Sequence, residues 1–132
     1  MAERQGCIHR REEFPTRAER GFDAVYQDIL TNLLAFLKDC PPPVALGVSI
    51  GGPLDSRAGV ILSPPNLPGW DRIPLKAFLE KDTQLPVKVM HDAKTGALAE
   101  WWFGAGQGCS DMIFLTFGTG LGCGVISAGR LL

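Results

Sequence analysis

Short, nearly uncharged strand-like runs recur along this chain, each ending at glycine or an acid and each separated from the next by helix-period sequence or turns. Val44 to Ile50 reads VALGVSI, Pro86 to Met90 reads PVKVM, and Met112 to Phe117 reads MIFLTF. The first, Val44 to Ile50, is nearly all apolar and suits a strand covered on both faces, which is the habit of parallel sheets in α/β proteins. Between them the apolar period changes. Phe22, Val25, Tyr26, Ile29, Leu33 and Leu37 recur at three- and four-residue steps, so they share one face of a helix. The run Cys40-Pro41-Pro42-Pro43 must end that helix, because proline restricts its predecessor and donates no helical hydrogen bond.

The remaining elements follow from local punctuation. Gly51-Gly52-Pro53 stops the first central strand, and Gly59 to Leu62 reads as a weaker one leading into the turn-rich SPPNLPGWD. Pro74 sits well as the first residue of a short helix through Glu80. Asp92 stands where an N-cap or first-turn acid belongs, ahead of a helix to about Phe103 that stops at Gly104-Ala105-Gly106. Met112 to Phe117 and Gly124 to Ser127 form a hairpin around GTGLGCG. Cys7 to Phe14 carries too many charges for a central strand and reads as an exposed or edge one. The alternation as a whole predicts an α/β layered sheet with helices on its faces. The chain stops just after a new sheet begins, which predicts a second domain barely started and a protein cut at both ends.

Composition excludes several roles. Thirteen basic against fourteen acidic side chains give a net charge of −1, with no basic stripe to track a nucleic-acid backbone. No apolar run reaches the ~20 residues of a membrane span, and the opening MAERQGCIHRREEF has no signal-peptide core, so the expectation is a cytoplasmic protein without membrane contact. Cys7, Cys40, Cys109 and Cys123 form no C-x-x-C pair and are expected to be reduced and buried or incidental.

Four segments could carry chemistry. Gly118 to Gly124, GTGLGCG, follows a strong strand; its glycines leave backbone N–H groups open to phosphate oxygens, and Thr119 adds a hydroxyl, although a plain glycine-rich turn fits the same residues. Asp92 lies just past the carboxyl end of PVKVM, the edge of an open α/β sheet where ligands collect. There it could take the proton of a hydroxyl attacking a phosphoryl group, or merely cap a helix. Gly52 in GGPLD allows close backbone approach, and Asn66 in SPPNLPGW offers a donor and an acceptor, while each also suits an ordinary turn. Trp70, Trp101 and Trp102 are expected to serve packing rather than sugar stacking.

In this order and spacing, GVSIGGPLD, GVILSPPNLPGWDRIPL, LPVKVMHDAKTGALAEWWFGAGQG and IFLTFGTGLGCGV resemble the ROK family of bacterial sugar kinases and sugar-responsive regulators. The match runs from about Gly6, and its specific part from Gly47 to Leu132. The resemblance implies an actin-like, ribonuclease-H-type fold, incomplete here, with residues 1–106 as the sugar-facing N-terminal domain and 107–132 opening the ATP side. It also implies transfer of phosphate from Mg–ATP to a hexose or amino-sugar hydroxyl. Asp92 then falls on the catalytic base, Gly118, Thr119 and Gly120 on a phosphate loop, and Gly52, Asn66 and His91 beside the sugar. HDAK, with His91 and Lys94, replaces the family's NDAN, which bears on sugar preference, and Cys123 stands where glycine is usual. The opening D-x-G-G-T loop and its hairpin, the E-x-G-H segment and the cysteine-rich zinc loop are missing from this sequence. Alternative readings are a sugar-sensing regulator, for which no helix-turn-helix precedes Gly6, and a non-catalytic remnant. Self-association or a partner chain is expected to cover the segment from Met112 to Leu132.

Overall fold

A computed structural model describes residues 6–118 and 120–132. The chain packs as two compact units, Thr16–His91 and residues 6–15 with Asp92–Leu132. No described helix is long and apolar enough to cross a membrane.

In the first unit, a short 3₁₀ turn over Ala18–Arg20 leads through Gly21, whose φ of 78° breaks the path, into helix α1, Gly21–Lys38. The expected stripe faces inward: Val25 and Tyr26 are buried, and Phe22, Ile29 and Leu33 pack on the same core. The helix ends at Lys38, three residues before Pro41, with the Asp39 and Cys40 amides donating to the Phe36 and Leu37 carbonyls. Strand β1, Leu46–Ile50, follows and pairs in parallel with β4, Val87–His91, from Leu46 opposite Val87 to Ile50 opposite His91. Strands β2, Leu54–Asp55, and β3, Val60–Ile61, form a small antiparallel hairpin. Its turn is fixed by Asp55, whose Oδ1 accepts from the Arg57 and Ala58 amides at 2.9 Å. Helix α2, Leu75–Thr83, begins one residue after Pro74 and closes at Gln84, which is left-handed at φ 59°. The Glu80 carboxylate then accepts from the Val87 amide at 3.2 Å and ties this helix to the start of β4.

Ile61, Trp70, Leu75, Leu79, Val87 and Val89 join Val25 and Tyr26 in the core. Phe22 organises the aromatic part, edge-on to Trp70 at 5.1 Å and stacked on Tyr26 and Phe78. Trp70 Nε1 is buried with no hydrogen-bond partner among the described residues, so packing alone holds this side chain.

In the second unit, helix α3, Asp92–Phe103, lies against a sheet of β5, Met112–Phe117, β6, Leu121–Ser127, and β7, Arg130–Leu131, in the order β5-β6-β7. The contact is close because glycines face the helix. A Cβ at Gly124 would sit 2.4 Å from the Ala93 carbonyl oxygen, and one at Gly96 would sit 2.6 Å from the Phe114 ring. Ala93, Ala97 and Ile126 are buried at this seam. Helix α3 stops as expected, with the Gly104 and Gly106 amides both donating to the Glu100 carbonyl. Trp101 donates its indole N–H to the Cys109 carbonyl at 2.8 Å, closing the loop to β5.

Four expectations change. Cys7 to Phe14 forms no strand: residues 6–17 are irregular, with Arg10 paired to Glu12 and Arg11 to Glu13 along the chain and no described strand beside them. Strand β1 is covered on one face only, since Leu46, Val48 and Ile50 reach the core while Gly47 and Ser49 are exposed. It also begins two residues later than Val44, which is 85% exposed. Of the two alternatives for the cysteines, buried or incidental, burial is set aside: all four are free, with Cys7, Cys109 and Cys123 exposed and Cys40 half-buried.

Candidate functional site

Strands β1 and β4 are parallel and in register, so their carboxyl ends lie side by side at Ile50 and His91. The turn that leaves β1 and His91 at the end of β4 therefore share one edge of that sheet, the edge where open α/β sheets hold ligands. From β1 the chain continues as Gly51-Gly52-Pro53, and from β4 as His91-Asp92 at the first turn of α3.

Gly52 is needed for shape. Its φ is 100°, and a Cβ there would lie 2.6 Å from the Pro64 Cβ, so a side chain would push the two loops apart. The Leu62 amide donates to the Pro53 carbonyl at 3.0 Å, fastening the same loops from the other side. Pro64 opens the turn that carries Asn66, closed by the Leu67 amide on the Pro64 carbonyl at 3.1 Å. The segments of Gly52 and Asn66 are thus brought together by Pro64, a contact that sequence spacing does not disclose. Asn66 is exposed, and no hydrogen bond to a described residue holds its side chain. His91 is half-buried at the end of β4.

Asp92 is exposed, and its Oδ1 accepts from the Ala93 amide at 2.7 Å. The carboxylate therefore contacts the opening of α3, where the helix dipole favours negative charge, and is exposed. Both roles expected from the sequence, helix-start acid and accessible base, are compatible with this placement.

The glycine-rich turn belongs to the other sheet, between β5 and β6. Gly118 donates its amide to the Gly120 carbonyl at 3.0 Å, so that N–H is used within the turn rather than left open. No heavy atom lies within 4 Å of a Cβ built on either Gly118 or Gly120, which leaves the turn open to approach. Thr119 lies outside the described residues. Gly52, Asn66 and His91 belong to the Thr16–His91 unit, and Asp92, Gly118 and Gly120 to the other. Cys123 is exposed on β6, opposite Leu115, so a side chain stands there without hindrance.

Asp111 was not singled out from the sequence, yet it shapes this hairpin. It accepts from the Ser110 hydroxyl at 2.7 Å, and from the Ser127 hydroxyl and the Ala128 amide at 3.0 Å. Those donors, Ser110 foremost, hold its carboxyl below the ordinary 3.8. An acid preceding a strand whose return partner ends in Ser-Ala-Gly is the only sequence signal for it. Among the described residues no three His, Cys, Asp or Glu side chains gather as metal ligands.

The sequence model of the ROK family matches residues 2–132. The glucokinase of Thermotoga maritima is 33% identical over all 132 residues, which are 41% of its own length. The xylose repressor of Caldicellulosiruptor bescii is 39% identical over 92 residues, 68% of this chain and 23% of the repressor. Among solved structures, a ROK glucokinase from Streptomyces griseus in complex with glucose and AMPPNP superposes with a TM-score of 0.75 at 34% identity, covering 85% of this chain and 35% of that one. The chain thus spans less than half the length of each of these relatives, and it shares with them the α/β fold of actin-like kinases. With nearly every residue matched to the family's sequence pattern and the same fold found in a family structure, the chain belongs to the ROK family.

Proposed function

We propose that this chain is the sugar-facing part of a ROK-type carbohydrate kinase, in which Asp92 takes the proton of a sugar hydroxyl as its oxygen attacks the γ-phosphorus of ATP. The observation that carries the reading is the position of Asp92: exposed, in the first turn of α3, directly after the carboxyl end of β4 in the chain. As the attacking oxygen bonds to phosphorus, the bond to ADP breaks and the hydroxyl proton moves to the carboxylate. Gly52 and Asn66, brought together at Pro64, would border the sugar, with His91 offering an imidazole where the family has an amide. The open turn at Gly118 and Gly120 suits a phosphate oxygen of ATP, because no atom of the described residues lies within 4 Å of a Cβ built on either glycine. Mg²⁺ would be held chiefly by ATP phosphates and water, as is usual for this ion, and would neutralise charge on the phosphates. Residues 107–132 are read as the opening of the second domain, supported by their having a sheet separate from β1 and β4.

A second reading, a sugar-sensing regulator, is favoured by the similarity to the xylose repressor. One experiment separates the two. This chain replaces its matched segment in the Thermotoga maritima glucokinase, and hexose phosphorylation is followed at saturating Mg–ATP. The kinase reading expects turnover that falls ~10²–10⁴-fold in Asp92→Asn, with sugar binding little changed. Turnover in the variant within about threefold of the parent excludes Asp92 as base, since a general base contributes ~10²-fold or more. A chimera that binds sugar without turning it over favours the regulator. Assayed alone, the 132-residue chain is expected to phosphorylate no hexose, because positioning around the γ-phosphate needs more than the base.

A further inference from the structure

Asn66 makes no side-chain hydrogen bond to a described residue, so its direction is set by the backbone on either side. That backbone is stiff. Ser63-Pro64-Pro65 precedes it, and each proline fixes its own φ while restricting the residue before it, so this stretch acts as a short arm. Pro65 and Asn66 are the central residues of the turn closed by the Leu67 amide on the Pro64 carbonyl. Pro68 and Gly69, whose φ is 80°, are those of the next turn, closed by the Trp70 amide on the Leu67 carbonyl at 3.2 Å. Buried Trp70 anchors the far side. The loop leaves and returns at one place, because Ile61 and Ile73 exchange amide–carbonyl bonds at 2.8 and 2.9 Å and the Arg72 amide donates to the Leu62 carbonyl at 3.0 Å. Across this neck the Ser63 hydroxyl donates to Asp71 Oδ1 at 3.1 Å. Directly after Asp71, Arg72 is left-handed at φ 53°, a conformation that a non-glycine residue keeps only where its surroundings hold it.

We propose that Asp71 is a positioning residue for sugar binding: through the Ser63 hydroxyl and the two prolines it holds Asn66 where it meets a sugar hydroxyl. This rests on the reading of Asn66 as bordering the sugar. The Ser63–Asp71 bond sets the angle at which the arm leaves the neck, and the prolines carry that angle to Asn66 without loss. Pro64 fits against Gly52 only if the arm keeps this course, since the two loops are already in close contact there. Asp71 acts here as an acceptor for Ser63, so its charge is dispensable, which separates this role from that of a carboxylate that touches sugar or Mg²⁺ itself.

Glucose binding to the chimera, followed by calorimetry, reads this whether or not phosphate is transferred. Asp71→Ala and Ser63→Ala should each weaken glucose binding ~3–10-fold, the range of one net hydrogen bond, and the double variant no further. Asp71→Asn should bind within about twofold of the parent, because its amide oxygen can accept from Ser63. In an Asn66→Ala background Asp71→Ala should add nothing, since it acts through Asn66. If Asn66→Ala weakens binding but Asp71→Ala is silent, or costs as much in the Asn66→Ala background, or is matched by Asp71→Asn, the proposal is overturned and the sugar-facing reading of Asn66 stands. If Asn66→Ala leaves glucose affinity unchanged, that reading falls and the proposal with it. A second measurement needs no sugar. In the 132-residue chain itself, amide exchange at Leu67 should quicken ~3–10-fold in Asp71→Ala and keep the parent's rate in Asp71→Asn. The Leu46 amide, bonded to the Pro86 carbonyl, should be unchanged in both. A parent rate at Leu67 in Asp71→Ala overturns the proposal.

Discussion

The Thr16–His91 unit hides its large side chains, whereas the hairpin of the other unit displays them. In the former, Ile61, Val25 and Val89 are at most 1% exposed, and aromatic rings close around Phe22. In the latter, the buried side of the sheet meets α3 through small residues, Ala93, Ala97, Gly96 and Gly124, while Phe117 and Leu121 face water. Apolar content is therefore a poor guide to where stability resides. What matters is whether a second layer is present, since burial and not hydrophobicity supplies the free energy.

Truncation breaks the comparison most directly. Leu79 is 2% exposed in the core, and Leu79→Ala should lower stability by ~2–5 kcal/mol through lost burial and the cavity left behind. Urea unfolding followed by circular dichroism measures this, and a loss below about 1 kcal/mol would mean that the core is looser than its contacts indicate. Next in size is overpacking at the α3 seam. Gly124→Val places a side chain against the Ala93 carbonyl, which cannot move without moving the helix, so the expected loss is ~1–3 kcal/mol. Gly120→Ala, with nothing within 4 Å, should change stability by about 0.5 kcal/mol or less. Similar losses for both would show that the seam is not the tight contact described.

A smaller effect probes polar support for the core. Tyr26 donates its hydroxyl to Asp82 at 2.7 Å, and Tyr26→Phe should cost ~0.5–1.5 kcal/mol, since Asp82 is exposed and regains water. Burial first, and the Asp82 carboxylate second, raise the Tyr26 phenol above its ordinary 10.0. The protonated form is the one the fold favours, so this contribution is complete below pH 10 and is lost as pH rises through the folded value. Alkaline unfolding midpoints should therefore move upward in Tyr26→Phe relative to its stability at neutral pH, and an unchanged alkaline limb would remove the assignment.

Local periodicity made α1 and β5 legible: the stripe from Phe22 to Leu33 faces the core, and β5 spans Met112 to Phe117 as read. The two-residue strands β2 and β7 escaped, because turn chemistry at Asp55 and Asp111 places them and no apolar period marks them. Cys7 to Phe14, read as an exposed or edge strand for its charges, is irregular, since an edge strand forms only against a neighbour to pair with and no described strand lies beside it. At the candidate site, Asp92 and Gly52 were visible as residues past strand ends. The dependence of Gly52 on Pro64 was not, because a contact across two loops leaves no trace in spacing.

A smaller effect than that of Tyr26→Phe is expected from Asp92→Asn, where the two units meet in sequence. Asp92 Oδ1 accepts from the Ala93 amide, and an asparagine oxygen at the same place can accept it equally. The substitution removes the negative charge at the start of α3, worth ~0.3–1 kcal/mol at an exposed helix end. Asp92→Asn should therefore change the chain's stability by less than about 1 kcal/mol, and Asp92→Ala, which also removes the acceptor, by ~0.5–2 kcal/mol. Urea unfolding of both variants, read beside the chimera's kinetics, gives a clean separation. If Asp92→Asn abolishes turnover while leaving stability nearly intact, the carboxylate is there to take a proton. If stability and turnover fall together, its place at the head of α3 is structural, and the lost activity reports a disturbed helix.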